Sequence, residues 1–163
     1  MSGVVILACS ADGAGNRGIL DVSWSGSDTG RLHVAARGYW CREDSVLVIR
    51  GERGDSGIAV ALFPRDSVTR DSFTIDGVGQ SAARPHGRVG LRWLGENLVV
   101  GYYSLSGTAV VNSDSPLEGR VQATLKSAVD GTQIKIAGTF SKLDILPSPS
   151  GCGRGIRPDS GGS

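Results

Sequence analysis

The chain has 163 residues, with 17 basic and 16 acidic side chains and a formal net charge of +1. This length suits one domain with a hydrophobic core, and the balanced charge favours neither nucleic acid nor an anionic membrane surface as a partner. The 25 glycines, with apolar runs too short for helices, are typical of many short strands joined by tight turns. No apolar run reaches the about 18 residues that a membrane-spanning helix needs.

The first nine residues, MSGVVILAC, differ in character from the rest of the chain. An apolar block ends in Ala8 and Cys9, and a polar, glycine-rich stretch comes directly after it. This ending is similar to the cleavage end of a bacterial lipoprotein signal peptide, in which the cysteine becomes the acylated first residue. The resemblance implies an exported protein of the periplasm or cell envelope, or one outside the cell, with lipid on Cys9. Residues 1–18 would then be a signal remnant and flexible tether, whereas the alternative is a short first strand with a buried cysteine.

The three cysteines are Cys9, Cys41 and Cys152. If Cys9 carries lipid, Cys41 and Cys152 remain as a candidate disulfide, which in the usual range would stabilise the fold by roughly 2 to 4 kcal/mol. The alternative is two unpaired thiols in a reducing compartment. The spacing of the cysteines and histidines does not match a zinc site, so we expect no metal and no other cofactor.

From Ile19 onward, alternating apolar and polar residues predict antiparallel strands and no helix longer than a single turn at residues 64–71. Residues 46–50 and 58–63 are apolar enough to be central strands that are buried on both faces, or to straddle the core. Residues 77–87 are expected to form an irregular loop. The predicted strands are residues 19–25, 31–41, 46–50, 58–63, 72–75, 88–94, 98–104 and 108–112, followed by a hairpin over residues 119–143.

That last hairpin is the strongest local signal. Val121, Ala123 and Leu125 alternate on its first arm, and Ile134 and Ile136 alternate on its second. The dipeptide at residues 130–131, Asp-Gly, readily takes the positive φ angles of a tight turn. The whole pattern predicts a single all-β domain over residues 19–146. Its fold would be an antiparallel β-sandwich or a small β-barrel of about eight to ten strands, followed by a mobile tail rich in Pro, Gly and Ser over residues 147–163.

Aromatic residues supply the main candidates for a ligand site. Trp40, Trp93 and Tyr102 would line an apolar pocket if the sheet opened them onto one end of a barrel. His86 lies in a basic loop and could meet a carboxylate or a phosphate. The alternative is that these side chains belong to the core and its rim. Acidic residues at positions 66, 71 and 76 suit neither a calcium loop nor a carboxylate pair, and we expect them to be solvated.

The sequence Gly54-Asp55-Ser56-Gly57 resembles the nucleophile motif of trypsin-like serine proteases. The resemblance implies Ser56 as a nucleophile. However, Ile58 stands where that family has another glycine, the upstream histidine is His33, and the chain is too short for two barrels. A Ser56 hydrolase is therefore only a second alternative, and a Gly-rich hairpin turn explains the same residues.

The favoured interpretation is a non-enzymatic accessory or binding module at a bacterial cell envelope, which could face the periplasm as a subunit of a larger membrane assembly. Its expected partner is another envelope protein or membrane complex, reached through an exposed strand edge or through residues 77–87, with no nucleic acid involved. The first alternative is a barrel that binds a small ligand or a glycan.

Overall fold

The computed structural model describes residues 18–80, 83–94 and 99–148. These residues form strands and turns with no helix, which confirms the all-β class. No segment within these ranges forms a helix that could cross a membrane. The strands are β1 (Gly18–Gly26), β2 (Gly30–Cys41), β3 (Val46–Arg53), β4 (Ser56–Phe63), β5 (Asp71–Asp76), β6 (His86–Leu94), β7 (Val99–Asp114), β8 (Leu117–Ser127), β9 (Gln133–Leu143) and β10 (Ile145–Pro147).

Eight of these strands form a closed ring. Each of β1, β2, β3, β4, β6, β7, β8 and β9 pairs antiparallel with the next, and β9 pairs with β1 to close the sheet. The sequence did not distinguish a sandwich from a barrel. Because the sheet closes on itself, the fold is an up-and-down barrel. Hairpin turns join β1 to β2, β3 to β4 and β8 to β9 at one end, which we call the hairpin end.

The two remaining strands fill gaps in the wall towards the opposite end. Strand β5 lies between β6 and β7 and pairs antiparallel with β7 and parallel with β6. Strand β10 pairs parallel with residues 38–40 of β2, beyond the point where β1 begins. Among the described strands, β10 alone has a single neighbour. Within the described strands, the edge formed by β10 is three residues long.

The bore of the barrel is filled by its own side chains. Strand positions alternate in burial, as on β8, and the inward residues of the strands form one large hydrophobic cluster. Its bulkiest fully buried members include Phe73 from β5 and Phe140 from β9. A barrel of eight strands has a bore just wide enough for side chains to fill, and here they do so.

The 119–143 hairpin is confirmed, with arms β8 and β9 slightly longer than predicted. Gly131 has a φ of +75°, and the Asp130 carboxylate accepts hydrogen bonds from the Thr132 N–H and hydroxyl at 3.1 and 2.8 Å. These hydrogen bonds lower the pKa of Asp130. The turn is therefore built as its Asp-Gly dipeptide suggested.

Away from the hairpin end, β3 and β4 are buried on both faces, as predicted, whereas Arg50 at the end of the predicted 46–50 run is exposed. Leu47 and Ile49 point into the bore, whereas Val46 and Val48 point outward and are just as buried. The outward residues form a second apolar cluster of Cys41, Val46, Val48 and Ala61, with Phe63 packed against it.

Two predicted boundaries were wrong. Strand β7 is one continuous strand of 16 residues, where two separate strands were expected. Gly107, which lies between the two expected strands, has a φ of +150° beside a register shift in the pairing with β8, and a Cβ there would lie 2.2 Å from the Gln122 carbonyl oxygen. A glycine at this β-bulge lets the strand continue. In addition, His86 and Gly87 belong to β6 and not to the preceding loop.

Candidate functional site

Two of the predicted pocket residues lie together at the hairpin end of the bore. The Trp93 and Tyr102 rings stack with centroids 4.8 Å apart, and Trp24 stacks on the other side of Trp93 at 5.1 Å. Trp24 was not predicted, although it alternates with the inward residues Leu20 and Val22 on β1. The three rings pack against each other and the core, so they cap the bore.

Trp40 lies far from this stack. On β2, Gly30 pairs with Trp24, and Trp40 is ten residues further along, about 33 Å at the usual rise of a strand. Trp40 is part-buried against the core at the opposite end. His86 also begins its strand at that end, so Trp40 and His86 do not share one pocket with Trp93 and Tyr102.

His86 lies on the outer side of β6 in a buried polar cluster. Its ring stacks on Phe63 with centroids 4.6 Å apart and an angle of 7°. The guanidinium groups of Arg84 and Arg88 each lie 5.8 Å from the centre of the Phe63 ring. His86 is 8% exposed, and burial is the main cause that lowers its pKa, against the opposing effect of the Asp76 charge.

Asp76 is 9% exposed, which corrects the expectation that it is solvated. After β5, the Gln80 carbonyl oxygen accepts a hydrogen bond from Arg88 of β6 at 2.8 Å, so the start of the crossover between these strands is held against β6. Arg84 donates to the carbonyl oxygens of Asp44, Ser45 and Pro64 and so fixes the end of this crossover.

Ser56 lies at the tip of the β3–β4 hairpin, where it pairs with Arg53. Neither described histidine forms a hydrogen bond with it. His33 instead contacts the Asp21 carboxylate, and His86 stacks on Phe63 at the opposite end. The structure thus provides Ser56 with no base in hydrogen-bond reach among the described residues.

Two of the three cysteines, Cys9 and Cys152, lie outside the described residues. Cys41 is buried at the end of β2. The Ser148 N–H donates a hydrogen bond to the Trp40 carbonyl oxygen at 3.1 Å, so the described chain ends beside Cys41 and four residues before Cys152.

A polar depression lies on the outer wall where β8, β9, β1 and β2 run side by side. Its volume is about 390 Å³, within the range of ligand sites. We call this site the outer depression. It is lined by Asp21, Ser23, Arg31, Arg120, Gln122, Ala137, Gly138 and Thr139.

Cross-strand register builds the outer depression from two rows of side chains. Arg120, Thr139, Asp21 and His33 form one row across the four strands; Gln122, Ala137, Ser23 and Arg31 form the other. The short side chains of Ala137 and Ser23 occupy the middle of the second row and leave room above the sheet, so the longer polar side chains form the rim.

Some charged side chains of the outer depression have ion-pair partners among the described residues and one does not. Arg31 donates to both Asp21 carboxylate oxygens, at 2.9 and 2.5 Å, and His33 Nδ1 lies 3.1 Å from Oδ2. The hydrogen bonds from Arg31 and then His33 lower the pKa of Asp21 to about 2. Arg120 forms no hydrogen bond or ion pair with the described residues. One cation of the site therefore remains available to a ligand.

Sequence reasoning did not find this site, because its residues come from four strands whose relative register is not written in any local pattern. The signal that could have found it is the run of polar residues on the outer faces of β1, β2, β8 and β9. That signal by itself is the ordinary mark of a solvated sheet face. The chain matches no known protein-family model, no curated protein and no solved structure.

Proposed function

We propose that this protein is a non-enzymatic binding module of the bacterial cell envelope that holds a small polar ligand, or a polar group of an envelope partner, in the outer depression. One observation carries the proposal: the bore is filled by side chains, whereas an open depression of ligand size, lined mainly by polar residues, lies outside it. The barrel would act as a rigid scaffold for that surface.

The alternative of a small ligand in the barrel mouth receives less support. Trp24, Trp93 and Tyr102 stack on one another and pack against the core. A ligand at this position would have to displace rings that already bury their faces, and it would lose the stacking energy of about 0.5 to 1.5 kcal/mol per aromatic pair.

A hydrolytic function also receives less support. The pair of His33 and Asp21 has the arrangement of a base with its orienting carboxylate, but the same carboxylate is shared with Arg31. No described serine hydroxyl forms a hydrogen bond with His33, and Ser56 lies at a hairpin tip. The proposal therefore assigns recognition, and no turnover, to this part of the wall.

Export is the second part of the proposal. It rests on the lipobox-like ending at Cys9, on the polar tether after it, and on the hydrogen bond that holds Ser148, four residues before Cys152, against Trp40, the neighbour of Cys41. Lipid on Cys9 would anchor the barrel to a membrane, and the disulfide would tie the tail to β2 in an oxidising compartment.

Ligand screening tests the binding role. We expect members of a panel of sugars, sugar acids, amino acids and short peptides to raise the melting temperature, because a ligand stabilises the state that it binds. Ala137→Trp, on β9, should abolish this shift in melting temperature by filling the outer depression. The matched variant Ala35→Trp, at an exposed position on β2, should not. Binding that survives Ala137→Trp unchanged would contradict the proposal.

Mass spectrometry of the protein from its native source tests export. The proposal predicts a mature chain that begins at an acylated Cys9, with Cys41 and Cys152 resistant to alkylation until a reductant is added. A chain that retains Met1 and alkylates at three thiols without reduction would contradict it.

A further inference from the structure

We propose that the outer depression is selective for a carboxylate flanked by hydroxyl groups, the chemistry of an acidic sugar, with Arg120 as its anchor. This inference rests on the proposed function and names the ligand class for the same site. The acidic sugar could arrive as a free sugar acid or as a residue of an acidic polysaccharide.

The charge distribution favours an anion. The lining of the outer depression carries two cations, Arg31 and Arg120, and one anion, Asp21. Arg31 and Asp21 neutralise each other through a two-point contact. The unsatisfied charge is the exposed Arg120 guanidinium on β8, so the site presents a net positive field to a ligand.

A cationic ligand would find no free acceptor of comparable strength. Both Asp21 oxygens accept hydrogen bonds from Arg31, and Oδ2 also lies 3.1 Å from His33. A ligand ammonium group would have to compete with the bidentate guanidinium, which matches carboxylate geometry better than a point charge does. The carboxylate of the site is therefore a fixed part of the wall.

The groups beside Arg120 suit hydroxyls. Thr139 is its direct cross-strand neighbour, and Gln122 lies two residues later on the same face of β8. Their side chains form no hydrogen bonds with other described residues. A hydroxyl and an amide each donate and accept, so they can pair with sugar hydroxyls while the Arg120 fork holds the carboxylate.

Calorimetric titration of the full chain with glucuronate, glucose and a short oligoglucuronate tests the inference. Glucuronate should bind about tenfold or more tightly than glucose, because a charge-assisted hydrogen bond distinguishes the two sugars. Binding should weaken as salt is added. Tighter binding of the oligomer than of the monomer would assign the natural source to a polysaccharide, and equal affinities would assign it to the free acid.

Arg120→Gln should reduce glucuronate affinity by about tenfold or more and leave glucose binding unchanged, because it removes the charged fork and little else. Arg50→Gln is the matched control, since Arg50 is an exposed arginine on the outer side of β3. This control should bind glucuronate like the wild type, and thermal unfolding of both variants would show that the fold is intact.

Equal affinity for glucuronate and glucose, or an Arg120→Gln variant that binds glucuronate as the wild type does, would overturn the inference. A neutral or cationic ligand that binds and is excluded by Ala137→Trp would overturn the inference alone and leave the proposed function standing. Ligands that bind only at sites unaffected by Ala137→Trp would overturn both.

Discussion

The β3–β4 wall and the β8–β9 wall lie on opposite sides of the ring of eight strands and differ in their outer surfaces. Away from the hairpin end, outward residues of β3 and β4 are as buried as the core, with Val48 at 0% and Ala61 at 2% exposure. Outward residues of β8 and β9, such as Arg120, Gln122 and Thr139, are exposed. One wall is thus part of a second buried layer, and the other is available for recognition.

The largest expected effect comes from placing the same charge on each type of surface. Val48→Asp should lower the free energy of unfolding by about 3 kcal/mol or more, because a carboxylate would replace a valine that is 0% exposed. Ala35→Asp, at an exposed outward position on β2, should change it by about 0.5 kcal/mol or less. Urea unfolding of both variants measures the difference, and equal losses would contradict the distinction between the walls.

Substitution of a glycine next to the aromatic stack should have the next largest effect on stability. A Cβ on Gly30 would lie 2.3 Å from a ring carbon of Trp24, whereas a Cβ on Gly101 meets no atom within 4 Å. Gly30→Ala should therefore destabilise the fold by about 1 to 3 kcal/mol through overpacking. Gly101→Ala should be neutral or slightly stabilising. Similar melting temperatures for the two variants would show that the stack does not cap the bore as described.

On the side of the barrel that carries the second buried layer, His86 should make the stability of the fold sensitive to mild acid. Burial lowers the pKa of folded His86 below 6.5, so the unfolded chain takes up the proton first. Stability should then fall as the pH drops through this value. The variant His86→Phe keeps a ring against Phe63 and should lose part of this dependence between about pH 7 and pH 5. Identical pH profiles for wild type and variant would contradict the assignment.

The stability that Asp21 contributes at the outer depression should fall only in stronger acid, and by a smaller amount. Because the pKa of Asp21 is lowered from 3.8 to about 2, its ion pair stabilises the fold above this range and is lost as the pH falls through it. Asp21→Asn should cost at most about 1 kcal/mol at neutral pH, since exposed pairs contribute little. The variant should lose less stability than the wild type between about pH 4 and pH 2, as unfolding at both values would show.

The same contrast explains how much of the fold could be predicted from the sequence. The continuous apolar runs of β3 and β4 and the alternation of the 119–143 hairpin are local patterns, and both were confirmed. Trp24 belongs to an aromatic stack and Asp21 belongs to a polar cluster, and both contacts arise only through pairing between strands. Such contacts depend on register, and register is set by the closure of the whole sheet.

The burial of His86 and Asp76 escaped prediction for a related reason. His86 stands among polar residues in the sequence and Asp76 was expected to be solvated, and the two come close because β5 and β6 are parallel neighbours. A parallel pair needs a connection that returns the chain to the end where the first strand began, so the burial of both residues depends on tertiary structure and is not visible in a local pattern.

The most direct test of the account is residue-resolved mapping of a bound ligand by amide chemical-shift perturbation. The account predicts that the largest shifts upon titration with glucuronate occur at Gln122, Ala137 and Thr139, on the open outer wall. Shifts centred instead on Trp24, Trp93 and Tyr102 would place the ligand in the barrel mouth and contradict the account.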